Sequence, residues 1–456
     1  MGEGNPLVRD LAALGIVEPG GVPIPDAPED EVGWEKLAES QFPDVPLNLN
    51  PGTLGNPSRA VLDAMARAGR HNARLLPLER LARMRRVREG VRAAAAEIWG
   101  CHPEDLALGP GTSAYMSVLS LALAAWCRRS KARPRDDSSI RVLTTDFEHY
   151  GGLGAFSNHP CFEVVPLRGD AFRDPAAFAA LAEALRPEVF FASQVTWVGH
   201  ERLPIEGWIR GLREWSPETV IVVDAAQAFG LETPVIEGVD FVVASGHKWV
   251  CGPAGTGFLW SSPSARERIG PIFPAGDPLA GLHPSAGFEP RGGLDGTLLE
   301  GLGAALGLQL LLGTGLVRAR QAFLARWFGA RLGMLAGTAR AASRGRVSIS
   351  MCSPAFSLSP GVMCLDVEGG DPYPLYRALM DEGVAVKCIK TELQDGSRLC
   401  RLRIGIPFHE TIRRLERVAA VFARCLEEWC AAGGIERSVG EGTADERRPL
   451  PRGGCV

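Results

Sequence analysis

Two apolar runs in the middle of the chain end in ionisable side chains. TVIVVDAAQ (219–227) reaches Asp224 after five mostly β-branched residues and carries Gln227 three positions on. FVVASGHK (241–248) ends in Ser245, His247 and Lys248. A carboxylate or an ammonium at the end of a buried strand is costly to desolvate unless it meets an opposite charge. One reading pairs Asp224 with Lys248, or makes Asp224 the cap of the helix that follows. The other reading gives each group a chemical task. A lysine in an apolar site has a lowered pKa and can act as an amine nucleophile, forming a Schiff base. A buried carboxylate on a neighbouring strand can hold a protonated pyridine nitrogen. A third part, GPGTS at 109–113, opens a helical pattern and offers Gly111, Thr112 and Ser113 to a phosphate. A Gly-rich loop alone is a weak signal. Followed in order by D-x-x-Q and S-x-H-K, it is specific.

Groups of this kind need a sheet behind them, because ligands of open α/β sheets bind outside the carboxyl ends of the strands. The chain supplies one. Short apolar runs at 140–145, 161–167, 188–195, 219–226 and 240–246 are each followed by a turn or a helical pattern. Nearly continuous apolar strands alternating with helices predict a buried, mostly parallel sheet. Helical spacing covers 59–70 and 78–99, and one long helical stretch runs from about 299 to 342. Strand-like runs at 346–350, 361–367 and 383–389 and a helical stretch at 411–432 predict a second, smaller α+β domain. Residues 1–45 read as an irregular arm with one short helix. The large domain is expected at 46–310, and the small domain at 311–435 with contributions from the N-terminal segment. A polar, disordered tail is expected at 436–456.

Composition bounds the function. At 456 residues, 46% hydrophobic and 22% charged, the chain suits two or three folded domains. A net charge of −4 argues against nucleic acid or an anionic membrane as partner. No apolar run reaches the length of a bilayer span, and the N-terminus lacks the basic start and apolar stretch of a signal peptide, so a cytoplasmic location is expected. The 11 cysteines show no C-x-x-C pair, which predicts reduced thiols, no disulfide framework and no metal site. Only 5 lysines occur (Lys36, Lys131, Lys248, Lys387 and Lys390), so each is worth weighing.

Together these residues resemble the class V aminotransferase group of fold-type-I pyridoxal-phosphate (PLP) enzymes, over roughly 45–430. NLNPGTLGNPSRAV (48–61) and RGGLDGTLL (291–299) are most similar to the isopenicillin-N-epimerase-like branch. The resemblance implies a large domain with a mostly parallel sheet flanked by helices, plus the smaller α+β C-terminal domain. It implies a homodimer with active sites near the interface. It makes Lys248 the Schiff-base lysine, Asp224 the partner of the pyridine nitrogen and Gln227 the neighbour of the ring hydroxyl. Gly111, Thr112, Ser113, Ser245 and His247 form the phosphate cup. His149, in DFEHYGG, stacks on the ring, with Tyr150 as a rival, and Arg403, in RLRIGIPFHET, grips the substrate carboxylate. Asn50 and Trp197 are further substrate contacts, and Gly293 is a cofactor contact. The implied activity transforms an α-amino acid or amine through an external aldimine and a Cα carbanion. The outcome is of aminotransferase or lyase type, in secondary metabolism, with epimerisation as the alternative. A PLP-binding subunit without catalysis is the reading from a different class.

Three departures from the family pattern stand out. Gly293 occupies a position where relatives have Thr. Trp197 falls where many have Asn. Cys388 precedes the place of the reactive cysteine of cysteine desulfurases and Cys400 follows it, so no persulfide chemistry is expected. His200 reads as a turn residue, and His283 and Arg291 as lining the pocket entrance or exposed. Lys387 and Lys390 read as solvated loop charges, and the Arg run at 80–92 as a solvated helix face.

Overall fold

The computed structural model describes residues 5–129, 139–167, 172, 174–270, 284–290, 295–342, 348–351, 358–392 and 398–432. The tail at 436–456 lies outside them, as does most of the loop KARPRDDSS.

The N-terminal arm holds two helices, α1 (Pro6–Ala13) and α2 (Glu31–Gln41), where the sequence suggested one. Each starts on a side-chain cap: Leu7 N donates to Asn5 Oδ1 at 2.9 Å, and Gly33 N to Asp30 Oδ1 at 3.0 Å. Val8 and Leu11 of α1 and Trp34 and Leu37 of α2 are fully buried, so packing holds the arm in place.

After β1 (Leu47–Asn48) come α3 (Arg59–Asn72), α4 (Pro77–Trp99), β2 (Leu106–Gly109) and α5 (Thr112–Arg129). Strands and helices then alternate: β3 (Ile140–Thr144), α6 (Tyr150–Ser157), β4 (Phe162–Pro166), α7 (Pro175–Leu185), β5 (Val189–Ser193), α8 (Ile205–Trp215) and β6 (Val220–Asp224). β7 (Phe241–Ser245), β8 (Gly257–Ser261) and α9 (Pro263–Ile269) follow. Seven strands form one sheet in the order β2-β8-β7-β6-β5-β3-β4, in which only β8 runs against its neighbours. The sequence reading missed β2 and β8, LALG and GFLWS, which contain no β-branched residue. β5, β6 and β7 are buried at every position, because both faces of the sheet are covered. Alternate residues feed opposite sides. Phe190, Ile221, Val223 and Val242 pack on one side with Trp208 of α8 and Leu302. Phe191, Val222 and Val243 pack on the other with Met116 and Leu119 of α5.

The long helical stretch is two helices, α10 (Gly296–Leu312) and α11 (Thr314–Ala342), broken at Gly313 and bent by 83°. No single helix among the described residues is long and apolar enough to cross a membrane. The arginines of α4 are only partly solvated. Arg80, Arg85 and Arg86 are exposed, but Arg83 pairs with Glu300 at 2.7 Å, and Arg88 and the buried Arg92 pair with Glu289 at 3.3 and 2.8 Å. Their spacing puts these three on the side of α4 that meets α10 and the segment after Pro284.

A second apolar core, including Leu324, Phe328, Leu365, Leu402, Ile404 and Phe422, serves the remaining elements. These are β9 (Ser348–Met351), β10 (Val362–Glu368), α12 (Pro372–Asp381), β11 (Val384–Ala385), β12 (Lys387–Glu392), β13 (Arg398–Gly405) and α13 (Ile412–Ala431). Four of them form an antiparallel sheet in the order β12-β13-β10-β9. β1 pairs in parallel with β11, so the residues just before Asn50 join these C-terminal elements.

Candidate active site

A cavity of about 500 Å³ opens where β5, β6 and β7 end, bounded also by the start of α5, the Gly52–Thr53 turn and the facing strands β12 and β13. Asp224, the last residue of β6, lines it. Ala226 N donates to its Oδ1 at 2.7 Å, while Oδ2 takes no hydrogen bond from a described residue. Burial raises the Asp224 pKa, and the nearby Lys248 charge opposes that rise. Lys248 follows β7 after a short turn. Burial lowers it to about 8, with Asp224 pulling it up and Arg403 pushing it further down. No direct ion pair joins the two, and both face the cavity.

The other end of the cavity is a cup of hydroxyls at the start of α5. Gly111 turns the chain with φ of 127°, a conformation that a side chain disfavours. Thr112 Oγ1 and Ser245 Oγ lie 2.9 Å apart, and Ser113 lines the same wall. His247 Nδ1 stands 3.3 Å from Thr256 O, and burial, with the Lys248 charge, lowers its pKa.

His149 caps α6, its Nδ1 accepting from Gly151 N at 3.0 Å. Its ring meets Trp197 edge-on, with centroids 5.4 Å apart. Burial, then Lys248, Lys387 and Arg403, push it down to about 4, so the imidazole is neutral. Tyr150 points elsewhere, its hydroxyl accepting from Asn158 Nδ2 at 2.7 Å.

Arg403, on β13, is buried. Its Nη1 donates to Trp197 O at 2.5 Å and its Nη2 to Asn50 Oδ1 at 2.9 Å. Burial lowers it to about 10, and no described carboxylate pairs with it. Arg401, two residues earlier, is instead bonded through Nε to Asp366 Oδ1 at 2.7 Å. Asn50 thus reaches the cavity through Arg403. Gln227 is held at both ends, donating to Gly52 O at 2.9 Å and accepting from Trp249 Nε1 at 3.1 Å. The N-terminal segment lies directly on the Lys248 turn: Gly55 N donates to His247 O at 2.8 Å, and a β-carbon at Gly55 would sit 2.2 Å from Lys248 O.

Three residues of the site escaped the sequence reading. Glu148, beside His149, is buried and close enough to Asp224 for their charges to interact. It accepts from Thr145 Oγ1 at 2.5 Å, Ser193 N at 3.0 Å and Ser193 Oγ at 2.6 Å. Burial pushes it up to about 7, and the Asp224 charge adds to the rise. Ser193 lines the cavity opposite Asp224 in the β5–β6 register. Lys387 is no solvated loop charge: it begins β12, directly across from Arg403, and lines the cavity.

His200 serves a turn, with φ of 53° and its N–H donating to Thr196 O at 2.9 Å. Gly293, His283 and Arg291 lie outside the described residues. Cys388 sits inside β12 rather than after it, and burial pushes its thiol up to about 11. Cys400 lies in β13, and neither thiol lines the cavity. Only a thiolate attacks sulfur effectively. Mass spectrometry of protein incubated with free cysteine is therefore expected to show no persulfide on either residue. A transferable persulfide there would reverse this expectation.

The residues present fit a pyridine ring bearing a phosphate. The hydroxyl cup at a helix start suits a dianion. The open oxygen of a buried carboxylate suits a protonated ring nitrogen, and the lowered amine of Lys248 suits a carbonyl carbon.

The family model "Aminotransferase class-V" matches residues 163–285. A probable hercynylcysteine sulfoxide lyase of Mycobacterium tuberculosis is 28% identical over 285 residues, covering 61% of this chain and 67% of that protein. Isopenicillin N epimerase of Streptomyces clavuligerus is 26% identical over 413 residues, covering 85% of this chain and 96% of the relative. Among solved structures, the apo cysteine desulfurase of Thermococcus onnurineus NA1 shares the fold with a TM-score of 0.68 at 16% identity, covering 86% of this chain and 98% of that one. With the parallel sheet and the motifs at its strand ends, these matches make the chain similar to the class V aminotransferases of the fold-type-I PLP enzymes.

Proposed function

We propose that this protein uses PLP to transform an α-amino acid by aminotransferase-type or lyase chemistry. One observation carries the reading: Lys248, Asp224 and Arg403, from three separate strands or strand ends, face a single cavity with a hydroxyl cup at one end. Thr112, Ser113, Ser245 and His247 would hold the cofactor phosphate, Asp224 the ring nitrogen, His149 the ring face, and Gln227 the ring-hydroxyl side. When bound, PLP supplies the electron sink for charge developing at the substrate Cα.

The chain supplies the rest. Lys248 Nζ, with its pKa near 8, is part neutral at physiological pH and can attack as an amine. The same atom can then take a proton from Cα and return it elsewhere. Asp224 keeps a negative charge beside the ring nitrogen and so favours its protonated form. Arg403 presents a planar fork to a carboxylate, with Trp197 O and Asn50 Oδ1 fixing its plane. That grip orients the substrate and thereby selects which Cα bond breaks.

A second reading, epimerisation, draws on the similarity to isopenicillin N epimerase along 85% of the chain. A cytoplasmic homodimer belongs to the proposal. Leu76, Leu78 and Leu81, at the start of α4, are 69%, 80% and 59% exposed and offer apolar surface for a second copy.

The test is to add PLP to purified protein and record the visible spectrum. The protein is then given a panel of amino acids, with and without a keto-acid acceptor, and the products are identified by mass spectrometry. Protein that stays colourless sinks the reading. Colour without any product points to a non-catalytic binding subunit. Within this frame, Arg403→Lys is expected to leave PLP bound while raising KM for carboxylate substrates. Loss of a charged hydrogen bond is worth about 1.5–3 kcal/mol, or roughly 10–100-fold. Arg401→Lys should leave KM unchanged, since its partner is Asp366. A silent Arg403→Lys would remove the amino-acid assignment.

A further inference from the structure

We infer that Glu148 is a proton store at the Asp224 end of the cavity: by holding the one proton that the two carboxylates share, it keeps Asp224 ionised and turns the Ser193 hydroxyl toward the cavity. The inference rests on the PLP reading above for its purpose, since that reading asks Asp224 to face a protonated ring nitrogen. Glu148 acts through its neighbours and is a positioning residue.

The geometry is that of a relay. Glu148 is buried, and the cavity is lined instead by Ser193 and Asp224, which stand side by side at the ends of β5 and β6. Glycine brings the Glu148 segment close to them. A β-carbon at Gly152 would lie 2.9 Å from Phe191 Cζ and 3.6 Å from Asp224 Oδ2, so a side chain there would push α6 away. Glu148 Oε1 accepts from Ser193 N and Thr145 Oγ1, and Oε2 meets Ser193 Oγ at 2.6 Å. A serine hydroxyl has one proton to give. With Glu148 ionised, that proton is committed to Oε2, and Ser193 offers the cavity lone pairs. With Glu148 protonated on Oε2, the carboxyl is the donor, and the Ser193 proton is released toward the cavity. A contact of this length suits either arrangement.

Two enclosed carboxylates within electrostatic reach do not both ionise cheaply, so the pair holds one proton between them. Lys248 decides which of them keeps it. Its charge favours the ionised form of Asp224, whereas the charge that acts on Glu148 is that of Asp224 and opposes ionisation. The groups bonded to or acting on Glu148 are Thr145 from its own loop, Ser193 from β5 and Asp224 from β6, and of these Asp224 is the one that titrates. His149, next in the chain, turns its Nδ1 to Gly151 N and is neutral. Burial holds the Glu148 carboxyl at about 7, so the store fills and empties around physiological pH.

Infrared titration of the full-length protein tests this, because a protonated carboxyl has a carbonyl stretch that a carboxylate lacks. The pH is stepped before PLP is added, so the result stands apart from the cofactor reading, which colour on adding PLP tests separately. In wild type a carboxylic-acid band should fade as pH rises through about 7. Glu148→Gln should lack that band, because its amide fixes the neutral arrangement. Asp224→Asn removes the like charge and should move the midpoint down by about one pH unit or more. Ser193→Ala removes the hydroxyl that favours the ionised form and should move it up by about one pH unit or more. A carboxylate with a merely structural role would be ionised throughout this range and show no band. Absence of the band in wild type, or a midpoint that Asp224→Asn leaves in place, overturns the inference. So does a band that survives Glu148→Gln and vanishes in Asp224→Asn, which would put the proton on Asp224. If Glu148→Gln does not fold, the opposite shifts of Asp224→Asn and Ser193→Ala decide, and without them the inference falls. A protein that titrates as expected yet stays colourless with PLP keeps the proton store and loses the PLP reading.

Discussion

Lys248→Ala is expected to leave a folded protein that no longer forms a borohydride-trappable link to PLP. Burial lowers the Lys248 amine to about 8, so below that pH the folded state carries the cost of an enclosed ammonium. Deleting the side chain removes that cost, which is why folding should survive. In the proposed mechanism the amine is nucleophile and base at once, and a positioned base alone is worth roughly 10²–10⁴-fold in rate. Turnover should fall by at least that factor. The pH dependence has a definite sign. Only the neutral amine attacks, so in wild type the rate of link formation should rise as pH increases through about 8, well below the 10.5 of an ordinary lysine. Borohydride reduction followed by peptide mass spectrometry checks both points. A link trapped on Lys387 in the variant, at the wild-type rate, would move the nucleophile to the other lysine of the cavity.

Asp224 should show the second large effect. In Asp224→Ala the ring nitrogen loses its anionic partner and the turn loses the acceptor for Ala226 N. Breaking a buried charge pair costs about 3–5 kcal/mol, so cofactor retention and turnover should fall by roughly 10²–10⁴-fold. Asp224→Asn separates the two losses, because it keeps the turn hydrogen bond and removes only the charge. If charge is what matters, Asn should be nearly as slow as Ala. Turnover within a few-fold of wild type in either variant would show that the wrong carboxylate was chosen, and Glu148 would be next to examine.

The parts of the site visible in the sequence share a physical cause. β6 and β7 are continuous apolar runs, so an Asp or Lys at their ends stands out against them. The start of α5 was visible because GPGTS combines a turn with hydroxyls. Other parts depend on contacts that no local window contains. Glu148 is an ordinary acidic residue until Ser193, 45 positions away, donates to it twice and the fold brings Asp224 within electrostatic reach. Lys387 reads as a solvated charge because nothing in KCIKTE shows which way it faces, and only the pairing with β13 sets it beside Arg403. The break at Gly313 was hidden by apolar residues on both sides that keep the helical pattern unbroken. β2 and β8 are strands by virtue of their neighbours: each is short, and β8 runs against the strands beside it.

The hydrogen bond from Arg403 to Asn50 spans 353 residues, and the one to Trp197 spans 206. During synthesis Asn50 leaves the ribosome long before its partner exists. At about 5–20 residues per second, that wait is roughly 20–70 s. By then β5, β6, β7 and β8, with Lys248 among them, are already outside and able to pair. The strands around the proposed cofactor site can therefore pair on the nascent chain, while Arg403 arrives near the end. The residues proposed to hold PLP thus leave the ribosome well before the arginine proposed to orient an amino acid.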